Sequence, residues 1–306
     1  MTEDLKVSFQ RTIAQLVDHY IGCRLLAQAS PEQLYRLAQE IVAEDLYRFP
    51  SVVKEAAKLL RLTGDLDAFV VRHLEHLLWV EHRRALWHCS PTSTRSAFDL
   101  GLLIKGQEHL AATVGAPTVL ITPMSLPYED SLWLARNLFP DRNVIVYGED
   151  IGSTASLFAG KDQASSCSFR LVGPSPTAVF DILNVLDGGG CFLTYPDFVY
   201  SGHNAQPIVL LGQKWPLSSG FISICGRPGT MLLPCYIEHS NCEITTHFMQ
   251  AVQFTLDKGA TRDMFWISQL VATIIASLLE QTILCNPTQW SLLTTVIAES
   301  EQRATV

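Results

Sequence analysis

Leu5, Phe9, Ile13, Leu16, Val17 and Tyr20 recur at three- and four-residue spacing, which predicts an amphipathic helix over 3–28. Ser30-Pro31-Glu32 then supplies an N-cap, a proline at the first helical position and an acidic first turn. The helix it opens should run to about Leu46 and stop before Phe49-Pro50. Further helices are predicted at 51–62 and 65–88, separated by Thr63-Gly64. From Thr92 the pattern changes to short aliphatic runs alternating with helical stretches, the signature of a sheet covered by helices. Candidate strands are 117–121, 143–148, 191–195, 207–211, 231–237 and 243–248, and a long helix should cover about 261–284. Residues 151–175 are rich in Gly, Ser and Ala with little periodicity and read as a long loop. The expected architecture is α/β, a central mixed sheet flanked by helices. A helical region at 1–95 precedes an α/β domain at 96–306.

Composition narrows the classes of function. At 306 residues and 48% hydrophobic content the chain can bury a substantial core. A formal charge of −8 argues against a nucleic-acid surface, because phosphate neutralisation needs clustered Lys and Arg. Eight cysteines at irregular spacing, with no Cys-x2-Cys pair, suggest reduced thiols rather than a disulfide framework or zinc site. The acidic start Met1-Thr-Glu-Asp-Leu-Lys lacks the basic and apolar regions of a signal peptide, so cytoplasmic residence is expected. The most apolar stretch, 264–279, lies between Asp263 and Glu280 and contains Gln269. Spanning a bilayer takes ~20 predominantly apolar residues, so this stretch reads as a core-packed helix. No integral membrane segment is expected, and any membrane contact would be peripheral.

Several motifs carry chemistry. The apolar run 117–121 leads into the turn Thr122-Pro-Met-Ser-Leu-Pro-Tyr-Glu129 and then the helical stretch 130–138. Downstream come Leu186-Asp-Gly-Gly-Gly-Cys-Phe-Leu-Thr-Tyr-Pro-Asp197, Val209-Leu-Leu-Gly212, Ser219-Gly-Phe-Ile-Ser-Ile-Cys225 and a closing Pro287-Thr-Gln-Trp290. In this order, across roughly 97–292, they resemble the lipid A biosynthesis (late) acyltransferases of the wider lysophospholipid (glycerolipid) acyltransferase superfamily. The signature of that group is His-x4-Asp/Glu in a strand-to-helix turn. Met124 and Glu129 have the spacing, with methionine where the resemblance expects histidine.

The resemblance implies transfer of an acyl group from a thioester to an amine or hydroxyl. The donor would be the phosphopantetheine of an acyl or peptidyl carrier protein, or coenzyme A, with no tightly bound cofactor and no metal. The usual membrane anchor of the family is not expected, which points to specialised-metabolite biosynthesis. Implied substrate-binding positions are Met124, Tyr128, Tyr195 and Asp197. A thioether cannot take a proton at neutral pH, so the base must lie elsewhere, with Glu129 and His203 as candidates. His203 in Tyr200-Ser-Gly-His-Asn204 serves equally as a surface-loop histidine, and Asp197 as a turn residue capping backbone amides. The alternative is a catalytically silent homologue that binds a carrier protein or another enzyme.

Other constellations have plainer readings. The triple glycine 188–190 precedes a strand and lacks a following Gly-Lys-Ser/Thr, so a helix cap and tight turn explain it better than a phosphate loop. His73 and His76 share one helix face and suit either a metal or a packed polar face. Arg83, Arg84, Arg95 and Lys105 offer a local basic patch for a phosphate-bearing carrier or an ordinary solvated face. No Gly-x-Ser-x-Gly elbow is present and Cys225 and Cys235 have apolar neighbours, which points away from covalent catalysis.

Overall fold

The computed structural model describes residues 26–44, 49–89, 101–148, 168–173, 175, 177–197, 204–240, 243–254 and 264–293. The helix expected at 3–28 lies mostly outside the described residues, as do Arg95 and His203. Three helices open the described chain: α1 (Pro31–Ala43), α2 (Phe49–Leu59) and α3 (Leu66–Cys89). A capping box starts α1: the Gln33 N–H donates to Ser30 Oγ at 3.3 Å, and the Ser30 N–H donates to Gln33 Oε1 at 2.6 Å. Its Leu34, Leu37, Ala38 and Ile41 are buried, and α1 and α2 both pack on α3.

The α/β part runs β1 (Gly101–Lys105), α4 (Gln107–Ala111), β2 (Thr118–Ile121), α5 (Tyr128–Leu138), β3 (Val144–Tyr147), β4 (Phe169–Val172), α6 (Ala178–Asp187) and β5 (Cys191–Thr194). It continues with β6 (Ala205–Leu210), β7 (Gln213–Ser218), α7 (Ser219–Cys225), β8 (Met231–Ser240), β9 (Glu243–Phe248), β10 (Val252–Gln253), α8 (Met264–Cys285) and a 3-10 turn at Pro287–Gln289. The main sheet has the order β1-β9-β8-β2-β5-β3-β4, with β10 on β8. Pairs β8–β2–β5–β3–β4 are parallel, β8–β9 is antiparallel, and β9–β1 is parallel again, so the sheet is mixed. Central strands β2 and β5 are buried along their whole length, as continuous apolar runs between two helical layers should be. One continuous core extends from Leu26 to Leu293 and includes residues from the N-terminal helices as well as the sheet.

All six predicted strands form, and the one at 207–211 stands outside the main sheet. It lies in β6, which pairs only with β7 in a separate antiparallel ribbon. The prolines explain this: Pro207 sits opposite Pro216, and proline cannot donate to the ladder of a central strand. Strands β1, β4, β7 and the two-residue β10 were not legible. Within the expected loop 151–175, Phe169–Val172 instead forms an edge strand on β3, started by the Ser168 N–H donating to Asn143 Oδ1 at 2.8 Å.

Helix α8 contains, over Trp266–Cys285, a stretch long and apolar enough to cross a membrane. A stripe of Val271, Ala272, Ile275, Ala276, Leu279 and Ile283 is nonetheless buried, and the helix packs on β2, β6 and β8. Trp266, Leu270 and Leu284 remain exposed on its other side.

Candidate functional site

Strands β2, β5, β3 and β8 point the same way, so their C-terminal ends gather at one edge, where open α/β sheets place ligands. The turn 122–127 leaves β2 at that edge. Pro123 and Pro127 remove two backbone donors from it, and the Met124 N–H donates to Asp197 Oδ2 at 2.9 Å. The same carboxylate oxygen accepts from the Trp290 indole at 2.6 Å, while the Trp215 indole donates to the Asp197 carbonyl at 2.9 Å. On its other side the Met124 carbonyl accepts from the Ser291 N–H at 2.8 Å. Asp197 is fully buried, and it joins the turn, the end of β5 and the chain's closing segment into one knot. The Met124 side chain belongs to the core.

Beside this knot lies a cavity of about 340 Å³, bounded by the ends of β3 and β5 and by α6 and α7. Ile182, Phe192, Leu217, Phe221 and Ile224 form its apolar wall, and Tyr128, Tyr147, Tyr195 and Thr194 supply polar groups. The Tyr128 and Tyr195 rings lie 5.9 Å apart. Burial pushes the Tyr195 phenol well above its ordinary range, so it stays neutral. Ser131 donates to the Pro127 carbonyl at 3.0 Å, which leaves its oxygen to accept from the Tyr195 hydroxyl. Tyr195 therefore offers lone pairs to a further partner.

Helix α5 carries two acidic residues in its first turn, where the macrodipole favours them. Asp130 is fully buried and accepts from Arg83 Nε at 2.8 Å, Arg83 Nη2 at 2.7 Å and the Trp87 indole at 2.8 Å. Arg83 thus faces inward and does not join the basic surface patch predicted for it, and Arg84 pairs with Glu81 three residues away. Glu129 is also buried, at 4% exposure.

A second cavity, of about 430 Å³ and polar, opens on the β8–β9 side of the same edge. Its wall includes Arg72, Glu75, His76, Glu238, His239 and Glu243. His76 Nδ1 lies 2.8 Å from His239 Nε2, and His76 Nε2 lies 3.0 Å from Ser291 Oγ. Trp79 stacks on the His239 ring at 3.8 Å, nearly parallel. Gln289 clamps the His239 backbone twice, its Oε1 accepting at 3.0 Å and its Nε2 donating at 3.2 Å. His73 Nδ1 donates to the Thr288 carbonyl at 2.9 Å. Burial holds His73 down to about 4 and His239 down to about 3, and burial together with the two neighbouring imidazoles holds His76 well below its ordinary range. Of the two readings of His73 and His76, the packed polar cluster is the one present, and no group of three or more potential metal ligands occurs among the described residues.

The predicted site residues therefore divide. Tyr128 and Tyr195 line the apolar cavity; Met124, Glu129 and Asp197 lie buried beneath the edge and are not part of its wall. His203 lies outside the described residues. Asp197 acts as the backbone-amide acceptor that one sequence reading anticipated. The glycines 188–190 cap α6 and turn into β5, Gly189 in the left-handed region at φ +72°. Cys191, Cys225 and Cys235 are buried free thiols pushed up by desolvation, to about 12 for Cys191 and Cys235. His239, Ser291 and the cavity that His76 and His239 border were not found from sequence, which singled out only His76. No protein-family model matches the chain, and neither does any curated protein.

Proposed function

We propose that this chain is an acyltransferase-like protein that accepts an acyl thioester, carried by an acyl or peptidyl carrier protein or by coenzyme A, and passes the acyl group to an amine or hydroxyl. The observation that supports this reading is the apolar cavity of about 340 Å³ at the C-terminal ends of β3 and β5, within the ordinary size range of ligand pockets. An acyl chain would lie against Ile182, Phe192 and Phe221, with its carbonyl near Tyr128 and Tyr195. The acyltransferase-like variant of the α/β fold belongs to the same proposal.

The described wall of that cavity contains tyrosines, serines and a threonine, and no carboxylate, histidine or lysine. Transfer there would depend on holding a reactive thioester beside its nucleophile, and positioning of this kind can supply on the order of 7–11 kcal/mol in the best cases. The Tyr195 oxygen would accept a hydrogen bond from the attacking amine or hydroxyl. Glu129 would act from behind Tyr128, its neighbour at the start of α5. The same wall favours a second reading, a silent homologue that binds an acylated carrier without turning it over.

Reconstitution with carrier-bound acyl donors and mixed amine acceptors, read by mass spectrometry, separates the two. The enzyme reading expects product from the wild-type chain and its loss when Ile182→Trp fills the cavity. Unchanged turnover in Glu129→Ala would remove Glu129 from the mechanism. A stable complex with an acylated carrier and no product from any donor would establish the silent reading instead.

A further inference from the structure

The chain has no Gly-x-Ser-x-Gly elbow, and Cys191, Cys225 and Cys235 are buried away from any substrate. The fold instead assembles a nucleophile from three distant positions. His76 stands on α3, His239 near the end of β8 and Ser291 just after the 3-10 turn, with Ser291 Oγ 3.0 Å from His76 Nε2 and His76 Nδ1 2.8 Å from His239 Nε2. We propose that Ser291, His76 and His239 form a serine–histidine–histidine relay, a nucleophilic site for neutral or cationic carboxylic esters that is distinct from the apolar acyl cavity.

The geometry defines each role. With its proton on Nδ1, His76 donates to His239 Nε2 and accepts from the Ser291 hydroxyl at Nε2, the arrangement a general base needs beside an alcohol. His239 is a positioning residue. It is held by the Trp79 stack and by the two bonds from Gln289, so that its Nε2 fixes the tautomer of His76. Ser291 is anchored by its own N–H on the Met124 carbonyl and is half-buried, as is His239, whereas His76 is deeply buried. Burial keeps the His76 ring neutral across the neutral range, so its Nε2 carries no proton before the serine gives one up.

His76 and His239 both border the polar cavity, and Ser291, partly exposed and bonded to His76, stands beside that wall rather than in it. Its charges select the substrate class. Glu75, Glu238 and Glu243 stand against Arg72 alone, which disfavours a phosphate-bearing donor such as coenzyme A and accepts a neutral or cationic ester. Arg72 and Asn286 are among the donors the wall offers to a developing oxyanion.

The reaction balances without a further reagent. Ser291 Oγ forms a bond to the acyl carbon as its proton passes to His76 Nε2, and the ester C–O bond breaks as that proton moves to the departing alkoxide. Water then attacks the acyl-serine and gives a proton to His76. The acyl–Oγ bond breaks, the proton returns to Oγ, and ester plus water has become acid plus alcohol.

A fluorophosphonate probe and p-nitrophenyl acetate test the relay on the whole chain, independently of any carrier protein. The expected result is one phosphonyl group per chain, located on Ser291 by peptide mass spectrometry and absent from Ser291→Ala. Ester hydrolysis in Ser291→Ala and His76→Gln should fall by about 10²–10⁴-fold, the usual worth of a positioned base. His239→Phe keeps a ring against Trp79 and should label slowly at an unchanged melting temperature. His239→Asn, whose amide oxygen can accept from His76 Nδ1–H, should recover part of the rate, which a merely structural role would not require. Absence of labelling at Ser291 in the wild-type chain overturns the relay. So does equal labelling of the wild-type, His76→Gln and His239→Phe chains. Neither failure touches the acyl-transfer reading, which rests on the other cavity and on thioester donors.

Discussion

Replacing Asp197 separates a structural knot from a substrate contact. Its carboxylate accepts the Met124 N–H at 2.9 Å and the Trp290 indole at 2.6 Å, and it is fully buried. Asp197→Ala removes the one oxygen on which both bonds converge and leaves two buried donors without their charged partner. An unmet buried donor costs about 1–3 kcal/mol, and the two share one cavity, so the loss should come to about 3–5 kcal/mol, near the top of the range for single substitutions. Asp197→Asn can place its amide oxygen where both donors converge but lacks the charge that makes each bond roughly twice as strong, so about half the loss should return once the amide orients that oxygen inward. Urea unfolding followed by tryptophan fluorescence measures both variants, and Trp290 itself should report loosening of the closing segment. The Trp290→Phe variant supplies the cross-check. If the knot is real, Trp290→Phe and Asp197→Ala together should destabilise by less than the sum of the two, because they delete a shared bond. Full additivity, or an Asp197→Ala chain as stable as wild type, would refute the reasoning and return Asp197 to the list of substrate contacts.

Acid should weaken the fold through the buried histidines. Their basicity is depressed in the folded state, so the unfolded chain binds protons first and stability is lost as pH falls below about 6.5. At pH 5 the loss is on the order of 2 kcal/mol for each of His73 and His239, levelling off near about 4 and about 3 respectively. Urea midpoints between pH 7.5 and 5 should fall accordingly, and a flat profile would contradict the burial of the cluster. Asp130→Ala removes the buried carboxylate that takes two bonds from Arg83 and should cost about 3–5 kcal/mol by the same unfolding assay, whereas a surface ion pair would cost under about 1 kcal/mol. Gly190→Ala places a methyl 2.6 Å from the carbonyl oxygens of Asn143 and Val185 and should lower stability by about 1–3 kcal/mol, measured as a drop in melting temperature.

What was legible in the sequence follows from how each feature is written there. The central strands β2, β3 and β5 are short apolar runs buried by helices on both sides, and a run of that kind needs no partner to be recognised. Strand β1 alternates exposure residue by residue at the sheet margin, β4 gains its identity only by pairing with β3, and β7 contains Pro216, so none of the three carries an independent signal. Helix α3 was readable as a helix, yet its polar residues were not readable as surface or core. Arg83 looked like part of a basic face because its partner Asp130 stands 47 positions downstream.

The distances in sequence also explain why the two cavities differ in visibility. The apolar one draws Tyr128 and Tyr195 from motifs that lie in a recognisable order around the turn after β2. The polar one is made from α3, β8 and the final turn, whose spacings of 163 and 215 residues match no local pattern. The closing Pro287-Thr-Gln-Trp290 element connects them. Gln289 holds His239 on one side, Trp290 holds Asp197 on the other, and Ser291 holds the Met124 carbonyl between them. Met124 therefore stands on a backbone fixed from both directions, with its side chain in the core and Ser291 anchored to its own carbonyl. A histidine in its place would have to displace that core packing before its ring could meet a substrate. Methionine at 124 and the proposed histidine relay behind the same turn are for that reason compatible parts of one arrangement: the turn is the support on which the serine is mounted.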